Sequence, residues 1–469
     1  MNKRVVVFVF VALIALLARV LFLDKYPAGI HGDEASTGLR ALYIYDHGFI
    51  GFFDNDHSVG QWALAEYLTV PFVKLISDDF YSIRLPMALV GSFGLIVFYL
   101  ILLKITGSTA IAFLGFLYQA VFFPHLHLSR LAITPVLADT LNLIGLYLFL
   151  HGRHSLSGVT FSLAGISYAS GPFFPIAFLT AFTLVKRKLP VRCLIPFLVI
   201  TSSIYIFELY EGRLTGRAKS VFDWEQIEAR ISAVFRYLLA LFSYSYFDAV
   251  DGLGGAKIYS TVEFFCFVLG AVLAARRRHS LQIILLLASA GVLALSVYTV
   301  LSTDHGFFRR SLTAFSVLNL FLFTTASMID GKTSKRIYFL TLCLAVANQI
   351  ALSFKQARSE PVRWVFAVEL TQIRDLIKRY EDQIHSLGFK SARWSIRYET
   401  NRWFHRGTKN YENFEDLKDR LTKDYSILIF DDPAIMKYVR GRNYRCSKLN
   451  QSFRYCKNRY TQAVVNSKQ

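Results

Sequence analysis

VVVFVFVALIALLARVLFL, residues 5–23, is followed at 29–35 by Gly29-Ile30-His31-Gly32-Asp33-Glu34-Ala35. The first stretch has the length to cross a bilayer as a helix, which takes about 20 residues. It starts after Lys3 and Arg4, and no small-x-small cleavage site follows Leu23. It therefore reads as a retained membrane helix rather than a signal peptide. The second stretch sets two carboxylates where the chain leaves the apolar phase, a place where charge is either solvated or put to use.

The rest of the chain has the same character. Of 469 residues, 54% are hydrophobic and 15% aromatic, only 18% are charged, and the mean hydropathy is +0.38. A soluble chain carries about 25% charged residues, so a soluble globular protein is excluded. Ten further apolar runs lie at 86–103, 109–124, 131–150, 156–171, 173–185, 189–209, 259–275, 281–301, 311–328 and 337–354. With the first they predict about eleven transmembrane helices, the pair around Gly171-Pro172 also being readable as one broken hairpin. The expected fold is an all-α polytopic membrane domain.

Short loops orient it. With the N-terminus cytoplasmic, the inner loops hold Lys104, Arg153, Lys186-Arg187-Lys188, Arg276-Arg277-Arg278, Lys332, Lys335 and Arg336, while the outer ones hold Arg130 and Arg309-Arg310. Residues 24–85 and 210–258 then form two large outer loops of a 1–354 membrane domain, and 355–469 form an extracytoplasmic tail. That tail has 24 Lys/Arg against 13 Asp/Glu, a surplus of 11 within the net charge of +19. It suits anionic head groups or glycans, or is simply a solvated surface. Nucleic acid is not an expected partner on that side.

Local patterns subdivide the outer parts. Ala35, Leu39, Leu42 and Tyr43 recur at helical spacing over 33–46, and a second apolar helix is predicted at 59–76, both at the membrane interface. Arg84-Leu85-Pro86 opens the second span, with proline near a helix start. Ile227, Ile231, Val234, Phe235, Leu238, Leu241 and Phe242 share one helical face in the second loop. In the tail a helix is predicted over 362–387, period-two alternation over 392–398, a short helix over 413–423 and a strand at 425–430. These give a small C-terminal α/β domain. Cys446 and Cys456 lie in strand-like sequence and are candidates for a disulfide across a hairpin. Cys193, Cys266 and Cys343 fall inside spans as small core residues.

Several residues can carry chemistry. Asp33 and Glu34 can act as a general base and its neighbour, or merely cap an interfacial helix through its dipole. Arg84, Arg130, Arg309 and Arg310 return positive charge to the outer face, where it can stabilise a phosphate leaving group or snorkel to lipid. Asp54, Asp56 and His57 offer ligands to a divalent metal or contacts to an acceptor; the same stretch also reads as a polar turn. His31, His57, His125 and His127 have no spacing that gathers them into a zinc site. Glu66, Glu208, Asp139 and Asn142 are polar groups at or inside spans, and Arg19 can join a phosphate pocket or snorkel.

Together the Gly-x-His-Gly-Asp-Glu-Ala motif after span one, Arg84-Leu85-Pro86, His125-Leu126-His127-Leu128-Ser129-Arg130 and Phe307-Phe308-Arg309-Arg310 resemble the GT-C integral-membrane glycosyltransferases. The branch is that of the protein O-mannosyltransferases and lipid A aminoarabinose transferases, over residues 1 to about 350. The resemblance implies an inverting glycosyltransferase of a prokaryotic plasma membrane, acting on the outer face with a polyprenyl-phosphate-linked sugar as donor. A hydroxyl of a protein, lipid or glycan would be the acceptor. It maps the loop-one acid onto Asp33, with Glu34 orienting it or touching the acceptor, and gives Arg84, Arg130 and Arg309 or Arg310 the donor phosphate. The protein O-mannosyltransferases look metal-independent, whereas oligosaccharyltransferases of the wider superfamily use a metal. A polymerase or ligase with a diphosphate-linked donor is the alternative enzyme, though its large loop would come late in the chain. A transporter or flippase is the non-enzymatic one, and no repeated halves are visible.

Overall fold

A computed structural model of the chain describes residues 3–23, 26–27, 32–54, 61–76, 80–211, 241, 258–300 and 307–357, and strands at 384–387, 410–411, 426–430, 444–448 and 453–458. Helix α1 (Lys3–Val20) leads to α2 (Gly32–His47), the two-residue strands β1 (Phe53–Asp54) and β2 (Gln61–Trp62), and α3 (Leu64–Leu75). Next come α4 (Phe80–Thr106), α5 (Thr109–Val121), α6 (Phe123–Leu128), α7 (Pro135–Leu150), α8 (His154–Gly165), α9 (Phe173–Lys186) and α10 (Val191–Tyr210). They are followed by α11 (Thr261–Arg276), α12 (Ser280–Val300), α13 (Phe307–Arg310), α14 (Leu312–Thr324) with a 3-10 turn at Thr325–Met328, and α15 (Lys332–Ala357).

A helix lies in each of the eleven apolar runs. Four of them, α4, α10, α12 and α15, have the length and composition to cross a membrane unaided; the others are shorter. Helix α1 shows why such a helix needs lipid. Phe8, Val9, Phe10, Leu13, Leu16 and Leu17 are exposed, while Val11, Ala15 and Arg19 at four-residue spacing are buried. The small Ala15 lets α4 approach closely, and Ser92 Oγ donates to the Ala15 carbonyl at 3.1 Å. Helix α14 is apolar all round and every one of its residues is buried, as expected of a central helix. It packs against α4, α5, α7, α11 and α12.

Polar groups inside a membrane bundle are paired internally, and a chain of side chains runs through the core. Tyr259 donates to Asn319, Asn319 to Gln119 (2.7 Å), Gln119 to Ser316 (3.0 Å), and Ser316 to Asp139 Oδ2 (2.9 Å). Asp139 Oδ2 lies 3.6 Å from His125 Nε2, and His125 Nδ1 lies 3.0 Å from an Arg19 nitrogen. A guanidinium only donates, so Nδ1 is the acceptor and the ring proton sits on Nε2, facing Asp139. Burial and the Arg19 charge hold the His125 imidazole well below its ordinary range, so it is neutral. Arg19 also donates to the Ala120 carbonyl at 2.8 Å. It is fully buried and so does not snorkel, and Asp139 meets a histidine before an arginine. A second knot, on Glu263, ties α5, α11 and α15 together through Tyr118 and Gln349.

The break between α8 and α9 is structural, as expected. A Cβ at Gly171 would stand 1.8 Å from the Ala164 carbonyl oxygen, and Asn142 Nδ2 donates to the Gly171 carbonyl at 3.2 Å. In the first large loop α2 packs on α3 and α3 on α4. Strands β1 and β2 pair antiparallel, with Phe53 and Trp62 buried against Ile166. Glu208 accepts the Phe52 amide at 2.9 Å, so this boundary carboxylate anchors that loop. Pro86 lies inside α4 rather than at its start, because the helix already begins at Phe80. The expected amphipathic helix of 210–258 lies outside the described residues, apart from its ends and Leu241.

The tail holds a mixed sheet of β3 (Ile384–Leu387), β4 (Asn410–Tyr411), β5 (Ser426–Phe430), β6 (Tyr444–Lys448) and β7 (Phe453–Asn458), in the order β4-β3-β5-β7-β6. β3 is parallel to β4 and β5; β7 is antiparallel to β5 and β6. The expectation of helix through residue 387 is corrected here: Ile384–Ser386 pair with Ser426–Leu428, and sheet pairing overrides a helical pattern. The strand expected at 425–430 is present. The segments 392–398 and 413–423 lie outside the described residues.

Two predictions follow from this packing. The β6–β7 register sets Cys446 directly opposite Cys456, and directly paired residues have Cα atoms about 4.5–5.5 Å apart, within the disulfide range. Mass spectrometry of protein alkylated without reductant should find the two linked; both alkylated would contradict this. In the core, Asp139→Leu removes the acceptor of the Ser316 hydroxyl and the carboxylate beside His125, and the buried polar groups left behind should cost about 1–3 kcal/mol. Thermal unfolding in detergent should show Asp139→Leu melting below wild type, and an unchanged melting temperature would contradict this.

Candidate functional site

The ends of α1, α4, α7 and α13 meet the first turn of α2. Asp33 and Glu34 occupy that turn, where carboxylates suit the positive end of a helix. Successive residues point about 100° apart on a helix, so the two acids face different surroundings.

Glu34 is fully buried. Arg84 grips it in a bidentate fork, Nε to Oε1 at 2.7 Å and Nη2 to Oε2 at 2.9 Å. The Ala132 amide donates to Oε1 at 3.0 Å. Arg84, itself fully buried, also donates through Nη1 to the carbonyls of Leu23 (3.1 Å) and Pro27 (2.9 Å). One carboxylate thus joins α2 to α4 and to the start of α7, and one guanidinium holds the chain leaving α1.

Arg130 closes the other side. Phe22 lies in the left-handed region (φ 54°) just past α1, where helix carbonyls lose their partners. The Arg130 guanidinium donates to the carbonyls of Ala18 (3.0 Å), Arg19 (3.2 Å), Leu21 (2.7 Å), Phe22 (3.0 Å) and Tyr26 (3.0 Å), and stacks over the Tyr26 ring. A cation at a helix C-terminus is also favoured by the helix dipole. Arg84 and Arg130, to which the resemblance gives the donor phosphate, are bonded here to Glu34 and to main-chain carbonyls. Glu34 meets the Arg84 guanidinium and the Ala132 amide.

Asp33 and Arg309 are different. The Asp33 carboxylate pairs with the Arg309 guanidinium from α13, 276 residues away. The Asp33 side chain is 42% exposed and that of Arg309 17%. Arg310 adjoins it, its carbonyl accepting Ser296 Oγ at 3.1 Å. A half-exposed carboxylate and two adjacent arginines, backed by a buried ion pair, can accept a proton and hold an anion.

Of the other candidates, the described His125 and His127 lie apart from this pair. His125 is in the core chain and His127 stacks on Phe123 at 5.1 Å. Asp56, His57 and His31 lie outside the described residues, as does the side chain of Asp54. Among the described residues no three His, Cys, Asp or Glu side chains gather to hold a metal ion. The sequence reading missed Arg40, buried in α2, and Glu263; both lie in segments read by their apolar periodicity.

No protein-family model matches the sequence, and no curated protein matches it. Among solved structures, ArnT from Cupriavidus metallidurans bound to undecaprenyl phosphate is similar with a TM-score of 0.55 at 12% identity, over 97% of this chain and 98% of that one. Its apo state gives the same values. The arabinofuranosyltransferase AftD from Mycobacteria is similar at 14% identity and a TM-score of 0.43, over 96% of this chain and 39% of that one. At such identity the likeness to ArnT is one of fold, and the chain shares the fold of that solved structure.

Proposed function

We propose that this protein is an inverting glycosyltransferase that moves a sugar from a polyprenyl-phosphate-linked donor to a hydroxyl acceptor on the outer face of the membrane. The observation that carries this reading is Asp33, half-exposed on the first turn of α2 and beside Arg309 and Arg310. The fold it sits in is shared with ArnT, whose solved structure holds undecaprenyl phosphate. The outer location rests on the basic residues of the short inner loops.

Asp33 takes the proton of the acceptor hydroxyl. The freed oxygen attacks the anomeric carbon from the face opposite the phosphate, which inverts that carbon. The bond from carbon to phosphate oxygen breaks, its electron pair stays on the phosphate, and Arg309 and Arg310 stabilise the added charge. Glu34, Arg84 and Arg130 are positioning residues: they fix the first turn of α2 against α1, α4 and α7. A protein, a lipid or a glycan can supply the hydroxyl. Asp54, Asp56 and His57 are the residues to which a divalent-metal requirement or an acceptor contact would fall.

The adjacent acids should separate on mutation. Asp33→Asn should fold normally and lower kcat by about 10²–10⁴, the usual worth of a general base, in membranes given a polyprenyl-phosphate sugar. Glu34→Gln should instead destabilise the fold by about 3–5 kcal/mol, since it leaves Arg84 buried without its counter-ion. Wild-type turnover by a folded Asp33→Asn variant would refute the assignment of the base.

A further inference from the structure

We infer that Arg309 serves two partners in turn: it holds Asp33 in the free protein and passes to the lipid phosphate when the donor binds, so that donor binding releases the base. This rests on the reading of Asp33 as base and adds to it an order of events.

The argument starts from which arginine can move. Arg84 is bonded in bidentate fashion to a fully buried glutamate and to two carbonyls. Arg130 is bonded to five carbonyls around the end of α1. Breaking either would strand a buried charge or buried carbonyls. The Asp33–Arg309 pair is open to solvent on the Asp33 side, 42% of that side chain and 17% of Arg309 being exposed, and exposed pairs are worth about 1 kcal/mol or less. Among the described residues it is more exposed than the Glu34–Arg84 pair, and so the more open of the two to an incoming anion.

Occupancy gives the second step. While Arg309 donates to Asp33 Oδ2, that oxygen is covered on the side facing the arginines. An acceptor hydroxyl needs a free carboxylate oxygen within hydrogen-bond reach. A phosphodiester beside Arg309 and Arg310 competes for the same donors and uncovers it. The backbone beneath stays put, because Ser296 holds the Arg310 carbonyl; only side chains need move.

Charge flow gives the third. In the transfer Asp33 gains a proton and loses its negative charge, while the departing phosphate gains one. A guanidinium lying between the two is drawn from the first to the second as the reaction proceeds. The same residue that guards the base in the empty site thus stabilises the leaving group in the filled one.

The test is a binding measurement on the full-length protein in nanodiscs, with a polyprenyl monophosphate as probe and titrations of wild type, Asp33→Asn, Arg309→Gln and the double variant. Asp33→Asn should tighten binding roughly threefold to tenfold, the worth of a half-exposed pair as an affinity ratio. In the Arg309→Gln background the same substitution should change little. Arg309→Met replaces Arg309→Gln if the latter does not fold. Unchanged or weakened binding by Asp33→Asn would overturn the exchange. Equal tightening in both backgrounds would also overturn it, since that is the effect of removing a negative charge without any sharing of Arg309. Loss of transfer by Asp33→Asn with unaltered binding would sink the exchange and leave the base standing. A wild-type protein that binds no polyprenyl monophosphate would sink both.

Discussion

The forked ion pair between Glu34 and Arg84 is what the site end of this protein is built around. Both side chains have no exposed surface, and a buried charge is tolerated only when paired and hydrogen-bonded. The pair meets that demand by drawing in Ala132 from the start of α7 and the carbonyls of Leu23 and Pro27. Satisfying one carboxylate therefore fixes where α2 begins relative to three other segments. Asp33 is positioned as a consequence: it is the residue before Glu34 on a helix whose first turn cannot rotate without breaking the fork.

The same constraint runs into the core. Arg19, His125, Asp139, Gln119 and Asn319 are buried and linked to one another across α1, α5, α6, α7 and α14. The 123–132 segment links the two networks. His125 faces Arg19, Arg130 caps α1, and the Ala132 amide reaches Glu34. Asp33 and Arg309 meet at the rim of this scaffold, where the Asp33 side chain is open to solvent.

Much of the fold is legible in the chain because it depends on local pattern. Apolar runs of bilayer length mark the helices, and Asp33-Glu34 before a periodic stretch marks the start of α2. Gly171-Pro172 marks the break before α9. The partners of the charged residues are not legible, since they lie across the fold: Glu34 meets Arg84 at a separation of 50 residues, Arg130 meets Tyr26 at 104, and Asp33 meets Arg309 at 276. Four arginines that look alike in sequence thus divide into two braces and two that stay near Asp33. Adjacency in sequence misleads for Asp33 and Glu34 too, because a helix turns them to opposite duties. In the tail, strand β3 takes its state from its neighbours β4 and β5 and not from the helical periodicity that precedes it.

The central claim is that Asp33 and Arg309 mark the place where a lipid phosphate is handled. The most direct measurement is a cryo-EM map of the full-length protein with a bound polyprenyl monophosphate. Phosphate density against Arg309 and Arg310, next to Asp33, is the expected result. Phosphate density at the opposite end of α12, beside Arg276 to Arg278, with none near Asp33, would contradict it.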